Sequence, residues 1–309
     1  MTKVRRYLVT GFDGQVVQSL IQHAANDASV EIIAVGRPKL DLATPETITA
    51  PVMELKPDLI ISAAAYTAVD QAESEGELAH AVNGGGPSAL AAAAAKLDIP
   101  IVHISTDYVF DGAKKTPYGE SDAVAPLGIY GASKLAGEKA VAAATANYAI
   151  LRTAWVYSPF GKNFLKTMLR VADGRDVVNV VDDQFGNPTS ALDIAGAVLA
   201  VSRGLLASPD PELRGIFHMT ATGEASWADF AEEIFRASSE IGGPSAHVNR
   251  IPSSAYPTPA QRPANSRLNC GKLLATHGVS LPHWQTSTQK TVAQIIQSAR
   301  TNEIPGENK

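Results

Sequence analysis

The chain has 309 residues, of which 45% are hydrophobic and 18% charged, and a formal net charge of −5. That length allows about two domains or one large α/β unit, and the apolar share can fill a sizeable core, so wholesale disorder is excluded. The negative charge argues against a phosphate-backbone binder, so no nucleic-acid partner is expected, and the single cysteine, Cys270, excludes an internal disulfide or a thiolate zinc cage.

The opening MTKVRRYLVT is basic, but a glycine-rich turn follows where a signal peptide needs a longer apolar stretch. No window approaches the roughly 18 consecutive apolar residues of a membrane span. The Ala91–Ala95 run stops at Lys96 and Asp98, as an alanine-rich helix on a sheet would. No membrane partner is expected, and the chain reads as a soluble, reduced, cytoplasmic protein.

Short β-rich runs at Tyr7–Val9, Glu31–Val35, Asp58–Ile61, Ile99–Ile104 and Ala149–Leu151 alternate with helical stretches. Those helices are predicted around Gln15–Asn26, Val69–Gly84, Pro87–Leu97 and Ser133–Thr145. Several runs are apolar at consecutive positions, as in strands covered on both faces. The repetition predicts an α/β fold with a doubly wound, parallel, Rossmann-type sheet. After about residue 155 turn signals cluster, at Ser158–Gly161, Asp173-Gly174, Gly186–Pro188 and the proline-rich Ile251–Pro259. Strands at Val177–Val181 and Gly215–Met219 and helices at Ala191–Ser202 and Trp227–Ser239 complete the reading. It divides the chain into a dinucleotide-binding unit over 1–155, with segments around 190–220 returning to it, and a smaller, loop-rich, mainly substrate-binding unit over 156–309. The tail from Asn302 is expected to fray.

The strand Arg6–Thr10 runs into Gly11-Phe12-Asp13-Gly14-Gln15-Val16-Val17 and then a helix. Glycines there let the backbone approach a pyrophosphate, and the helix N-terminus supplies N–H donors and positive potential. The third position of the turn, normally small for close helix–strand contact, is Val17. Its bulk predicts an outward-displaced helix or a compensating small neighbour. At the end of the second strand, Val35-Gly36-Arg37-Pro38 has no acid for a ribose 2′-hydroxyl, while Arg37 suits a 2′-phosphate. NADPH is therefore the expected cofactor, with NADH as the alternative.

Ser105-Thr106-Asp107 follows the strand Ile99–Ile104, and Tyr130-Gly131-Ala132-Ser133-Lys134 comes later. A Tyr and a Lys four apart share one helix face. A free phenol titrates near pH 10, and an ammonium one turn away is expected to favour phenolate and to hold a ribose hydroxyl. A hydroxyl at a strand end can orient a substrate carbonyl, and open α/β sheets bind ligands at that end.

The glycine turn, Ala63–Asp70, Ser105–Gly112 and Tyr130–Lys134 together resemble the extended short-chain dehydrogenase/reductases and, within them, the dTDP-4-dehydrorhamnose reductase family. The resemblance continues through Arg152–Tyr157, Asp183–Thr189 and Arg262–Leu268, and so spans nearly the whole chain. It implies NADPH-dependent reduction of the C4 ketone of a dTDP-linked 4-keto-6-deoxyhexose. Tyr130 would be the proton donor, Lys134 its electrostatic and ribose-binding partner, and Thr106 the holder of the carbonyl oxygen, with Asp107 beside it at the sugar. Gly11, Gly14, Gln15 and Val16 would line the pyrophosphate turn, Asp41 and Leu42 the adenine side, and Ala65, Tyr66 and Thr67 the cofactor after the third strand. Trp155 would pack on the sugar nucleotide, and Arg262, Asn265 and Arg267 would face its diphosphate. Some members bind magnesium at a dimer interface through glutamates near the chain end. The stretch Trp284–Lys290 has no carboxylate, so no metal site and a monomer or weak homodimer are expected. A non-catalytic cofactor-binding subunit, similar to the regulatory subunit of methionine adenosyltransferase, and a reductase of another nucleotide-linked keto sugar are the alternatives.

Elsewhere the residues read as structural. The acidic stretch Asp70–Glu75 reads as a solvated helix start, His103 as a packed, hydrogen-bonded strand histidine, Trp227 as the head of a core stripe with Phe230 and Ile234, and Cys270 as a structural thiol.

Overall fold

Both faces of the central sheet are covered, which is why its strands are apolar at nearly every position. In the computed structural model, which describes residues 3–303, β1 (Arg5–Thr10), β2 (Val30–Val35), β3 (Leu59–Ser62), β4 (Ile101–Thr106) and β5 (Tyr148–Thr153) are all parallel. They lie in the order β2-β1-β3-β4-β5, and the strand Gly215–His218 adds the far edge beside β5. On one face α1 (Gln15–Ala24) and the helix Ala191–Ala207 bury Val17, Leu20, Ile194 and Val198 against Val9, Ile61, Val102 and Leu151. The helices Thr49–Leu55, Gly86–Leu97 and Ile129–Ala144 cover the other face, with Val52, Leu90, Ala94 and Val141 against Leu8, Ile60, Ile101 and Ile150. This is the doubly wound parallel sheet expected from the sequence.

A second core is built from the later chain. The helices Phe164–Ala172, Trp227–Ser239 and Trp284–Glu303 pack around a parallel pair of short strands, Val177–Val181 and His247–Ile251. Asn163 accepts from the Lys166 backbone N–H at 3.0 Å to start the first helix, and Ser226 with Asp229 forms a capping box on the second. The final helix runs through Glu303, past the point where fraying was expected, and 304–309 lie outside the described residues. No helix among the described residues is long and apolar enough to cross a membrane.

Several segments differ from the sequence reading. Val69–Gly84 is not one helix but Val69–Ala72, Gly76–His80 and a π-helical turn, Ala81–Gly85. The helix Ile129–Ala144 packs closely over that π turn: a Cβ on Gly137 would lie 2.1 Å from the Asn83 carbonyl oxygen. The same helix starts four residues before Ser133, which brings Tyr130 into its first turn. Phe164–Ala172 was missed because it is only nine residues long and lies between two close turn signals.

Candidate active site

β2 and β3 lie on opposite sides of β1, so the carboxyl ends of β1 and β3 form a topological switch point, where open α/β sheets hold ligands. A crevice of about 530 Å³ opens there, lined by Gly11, Phe12, Arg37, Asp41, Leu42, Ala65 and Tyr66 among others. The Thr10 hydroxyl sets its floor by accepting from the backbone N–H groups of Ala63 and Ala64, both at 3.0 Å. Gly11 has φ +95°, and a Cβ there would come within 3.2 Å of Ala64 Cβ. Gly14 begins α1 with no side chain closing its N-terminal N–H groups. A left-handed glycine, uncapped amides and a crevice at the switch point fit a dinucleotide pyrophosphate.

Val17 neither protrudes nor loosens α1. It is 1% exposed in the main core, and even a Cβ on Gly11 would meet it at an ordinary 3.6 Å, so its bulk is accommodated within the core. Val16 packs on the same core, leaving only its backbone to the turn. The Gln15 side chain points to the second unit: its oxygen accepts from Ser158 Oγ at 2.8 Å and Asn163 Nδ2 at 2.9 Å. Arg37 is exposed at the crevice rim and has no hydrogen-bond or ion-pair partner among the described residues. Asp41 accepts from the Ala43 N–H at 3.0 Å, Leu42 is buried beside Gly86, and Thr67 is exposed beyond Tyr66. The loop carrying Ala65, Tyr66 and Thr67 is fixed by Asn83, a buried residue the sequence reading did not single out. Asn83 accepts from the Tyr66 N–H at 2.8 Å and donates to the Tyr66 carbonyl at 3.1 Å and to Ser133 Oγ at 3.0 Å. The signal for it was the Asn83-Gly84-Gly85-Gly86 run, which lets the π turn lie flat against the helix Ile129–Ala144.

Thr106, at the tip of β4, stands by the Tyr130 phenol; its hydroxyl accepts from the Tyr108 backbone N–H at 3.2 Å and donates to Asp107 Oδ1 at 2.9 Å. Burial pushes the Tyr130 phenol up to about 12; the Thr106 hydroxyl opposes this and the Asp107 carboxylate adds to it. The expected lowering by Lys134 is not what dominates. The Lys134 ammonium is buried, donates to the Ile104 carbonyl at 2.6 Å, and is itself pushed down to about 8 by burial, against the attraction of Glu138. Burial likewise lifts Asp107 to about 6, against hydrogen bonds from Ser266 and Thr106. Tyr108 meets Tyr130 edge to face, ring centroids 5.7 Å apart, and has the Arg262 guanidinium beside its phenol.

Three buried polar atoms around this centre, Asp107 Oδ2, Thr153 Oγ1 and Arg262 Nη1, have no partner among the described residues. Thr153 lies beside Thr106 in the β4–β5 register. Unpaired buried polar atoms are costly, and three together mark a place built for a polar ligand. Trp155 sits just past β5 with φ +46°, a strained conformation for a bulky side chain. Its indole stacks on Trp227, centroids 3.6 Å apart at 4°, and Gly186 is the only residue small enough for the adjacent turn, since a Cβ there would lie 2.4 Å from the ring.

The three residues expected at a diphosphate separate into two groups. Arg262 reaches the centre, pairing with Asp70 at 2.8 Å. Asn265 and Arg267 do not extend into it. Asn265 donates to the carbonyls of Lys114 and Thr116, and its oxygen accepts from Arg267 Nε at 2.7 Å; Arg267 also pairs with Glu224 at 2.8 Å. Together they fasten the strap 262–268 to the loop 111–118. The acidic stretch does more than meet solvent: besides the Asp70 pair, Glu73 accepts from the Ile129 N–H at 2.9 Å, at the start of the helix Ile129–Ala144. Among the described residues no histidine, cysteine or carboxylate cluster could hold a metal.

The chain was compared with known proteins. A family model described as the RmlD substrate binding domain matches residues 5–297. A dTDP-4-dehydrorhamnose reductase of Sinorhizobium fredii is 53% identical over 291 residues, covering 94% of this chain and 98% of that protein. One from Escherichia coli K12 is 43% identical over 258 residues, covering 83% and 86%. Among solved structures, a dTDP-4-dehydrorhamnose reductase from Clostridium acetobutylicum superposes with a TM-score of 0.88 at 38% identity, covering 94% of this chain and 99% of that one. Another, from Bacillus anthracis in complex with NADP, gives 0.87 at 33% identity with the same coverage. The chain that folds around this crevice and this Thr–Tyr–Lys centre belongs to the dTDP-4-dehydrorhamnose reductase family of oxidoreductases.

Proposed function

We propose that this protein reduces the C4 ketone of dTDP-4-dehydro-6-deoxy-L-mannose to give dTDP-L-rhamnose, with NADPH as reductant. The observation that carries the reading is the meeting of Thr106, at the carboxyl end of β4, with the Tyr130 phenol, and of Lys134 buried one turn along the same helix. The bound complex of the Bacillus anthracis relative with NADP supports the cofactor.

The backbone of Gly11, Gly14, Gln15 and Val16 would hold the pyrophosphate, Asp41 and Leu42 the adenine side, and Ala65–Thr67 the middle of the cofactor. Arg37 would meet a 2′-phosphate. When bound, the reduced nicotinamide supplies the hydride. Thr106 orients the ketone oxygen, and Tyr130 gives its phenolic proton to that oxygen as charge builds on it. The high phenol pKa suits this direction, because the tyrosine stays protonated across the neutral range until an alkoxide, a stronger base, needs the proton. Lys134, charged below about 8, stabilises the phenolate left behind and holds a ribose hydroxyl. Asp107 and Thr153 offer their unpaired oxygens to sugar hydroxyls, Trp155 lies against the sugar nucleotide, and Arg262 faces the diphosphate. Binding energy from the remote nucleotide fixes the reacting carbon.

The alternative of a non-catalytic cofactor-binding subunit drew on Val17, and a well-packed Val17 gives it no support. The test is to supply NADPH and dTDP-4-dehydro-6-deoxy-L-mannose and identify the product by NMR. dTDP-L-rhamnose in step with NADPH loss supports the reading. Loss of NADPH only with a different keto sugar reassigns the substrate, and NADPH binding without any turnover overturns the reading.

A further inference from the structure

Beneath the catalytic helix lies a charge arrangement that the reaction scheme leaves unused. Glu138 stands one turn beyond Lys134 and two beyond Tyr130 on the same helix face. Its side chain is 2% exposed and takes a bidentate ion pair from Arg152, itself 3% exposed, with Nε–Oε1 at 2.9 Å and Nη2–Oε2 at 2.7 Å. Ser105 Oγ donates to the same carboxylate at 2.5 Å. Ser105 precedes Thr106 on β4, and Arg152 precedes Thr153 on β5, so one carboxylate ties the helix to both strands that carry the centre. Stability alone does not explain it, because a well-packed apolar pair of similar volume commonly does as well or better.

The layer between helix and sheet therefore holds two cations, Lys134 and Arg152, and one anion, Glu138. The other titratable groups facing it are uncharged. His103 on β4 is held neutral by burial and by the Lys134 ammonium; His218, beyond Arg152, is pushed down to about 3 by burial and by Arg152. Tyr130 is a protonated phenol. If the carboxylate were lost, two buried cations would face each other without compensation. An arginine does not give up its proton in a protein, whereas a buried lysine does so readily. The whole consequence must then fall on Lys134.

We propose that Glu138 and Arg152 are positioning residues that set the charge of Lys134, Glu138 keeping the ammonium charged and Arg152 limiting how strongly it does so. For its effect on turnover the proposal rests on the role given to Lys134 above; the charge itself can be read without turnover.

The experiment is a pH titration of the Lys134 side-chain signal in ¹³C-lysine-labelled, ligand-free protein, assigned by its absence in Lys134→Arg. It compares wild type, Glu138→Gln, Arg152→Met and the double variant, which removes both members of the ion pair together should either single variant fold poorly. The titration midpoint is expected to fall by about one pH unit or more in Glu138→Gln, and to rise in Arg152→Met. In the double variant it falls below wild type. A midpoint that stays put in these variants, or moves the same way in both single ones, overturns the proposal, since general loosening of the fold cannot give opposite signs. The falling high-pH limb of kcat/KM should track the midpoint. If the midpoint moves as expected and that limb does not, charge setting stands and the role of Lys134 in the reaction falls instead.

Discussion

Arg262 and Asp70, 192 residues apart in the chain, meet at 2.8 Å where the C-terminal strap reaches the loop that follows β3. The pair is partly exposed, with side chains 23% and 41% accessible, so on its own it contributes little to stability. Its consequence is positional. It holds the guanidinium next to Tyr108, with Nη1 buried and unpaired.

If that free edge of Arg262 meets the diphosphate, Arg262→Ala should raise KM for the sugar nucleotide about tenfold or more, the scale of one charge-assisted hydrogen bond. Asp70→Asn keeps the guanidinium and should cost only a few-fold. Steady-state kinetics on both variants decides it: equal losses would mean that the residue matters only for holding the strap.

Arg37 is the cation at the crevice rim beside the end of β2, where no carboxylate stands to prefer NADH. Arg37→Ser should weaken NADPH about tenfold while changing NADH little, by the same scale of interaction. Fluorescence titration of both cofactors gives the ratio, and a parallel loss for the two would remove Arg37 from the 2′-phosphate.

Asp107 should make the fold less stable as pH rises. Its folded carboxyl binds a proton more tightly than the unfolded one, since burial raises it from 3.8 to about 6. The stabilising contribution is thus complete below about pH 4 and is lost as pH climbs through 6. Asp107→Asn keeps an acceptor for Thr106 but never ionises, so it should melt higher than wild type at pH 7.5, by a few degrees, with the gap closing at pH 4. Thermal melts at the two pH values test this. A variant that melts below wild type at pH 7.5 but not at pH 4 would contradict this and show that the carboxylate is stabilising when charged. Turnover should fall in the same variant, the familiar opposition of stability and function.

Trp155 and Trp227 form a stacked pair against the second core, just past β5. Sugar-nucleotide binding should change the intrinsic fluorescence, and Trp155→Ala should abolish most of that change and raise KM. An unaltered signal in that variant would place the sugar nucleotide elsewhere.

Much of the fold could be read in the sequence because its strands are buried on both faces and so stand out as unbroken apolar runs. The Thr106, Tyr130 and Lys134 set was legible because strand end and helix face are local patterns. Residues that act through distant partners were not: Asn83 holds Tyr66, Glu73 caps Ile129, and Glu138 pairs Arg152, and no spacing reports such contacts. Asn265 and Arg267 show the converse. A polar motif displays its donors, but not that neighbouring carbonyls already occupy them. Val17 looked like a misfit because the sequence does not show the core pocket that receives it. The helix Trp284–Glu303 was overlooked since Val292 and Ile296 are its main buried apolar anchors in an otherwise polar run.

The central claim is that Tyr130 supplies the proton. Turnover of dTDP-4-dehydro-6-deoxy-L-mannose with NADPH, measured for wild type and Tyr130→Phe beside NADPH affinity for both, tests it most directly. The account predicts a loss of about 10²-fold or more in kcat, with the cofactor dissociation constant nearly unchanged. Undiminished turnover by Tyr130→Phe would contradict it and move the proton donor to another group in the centre.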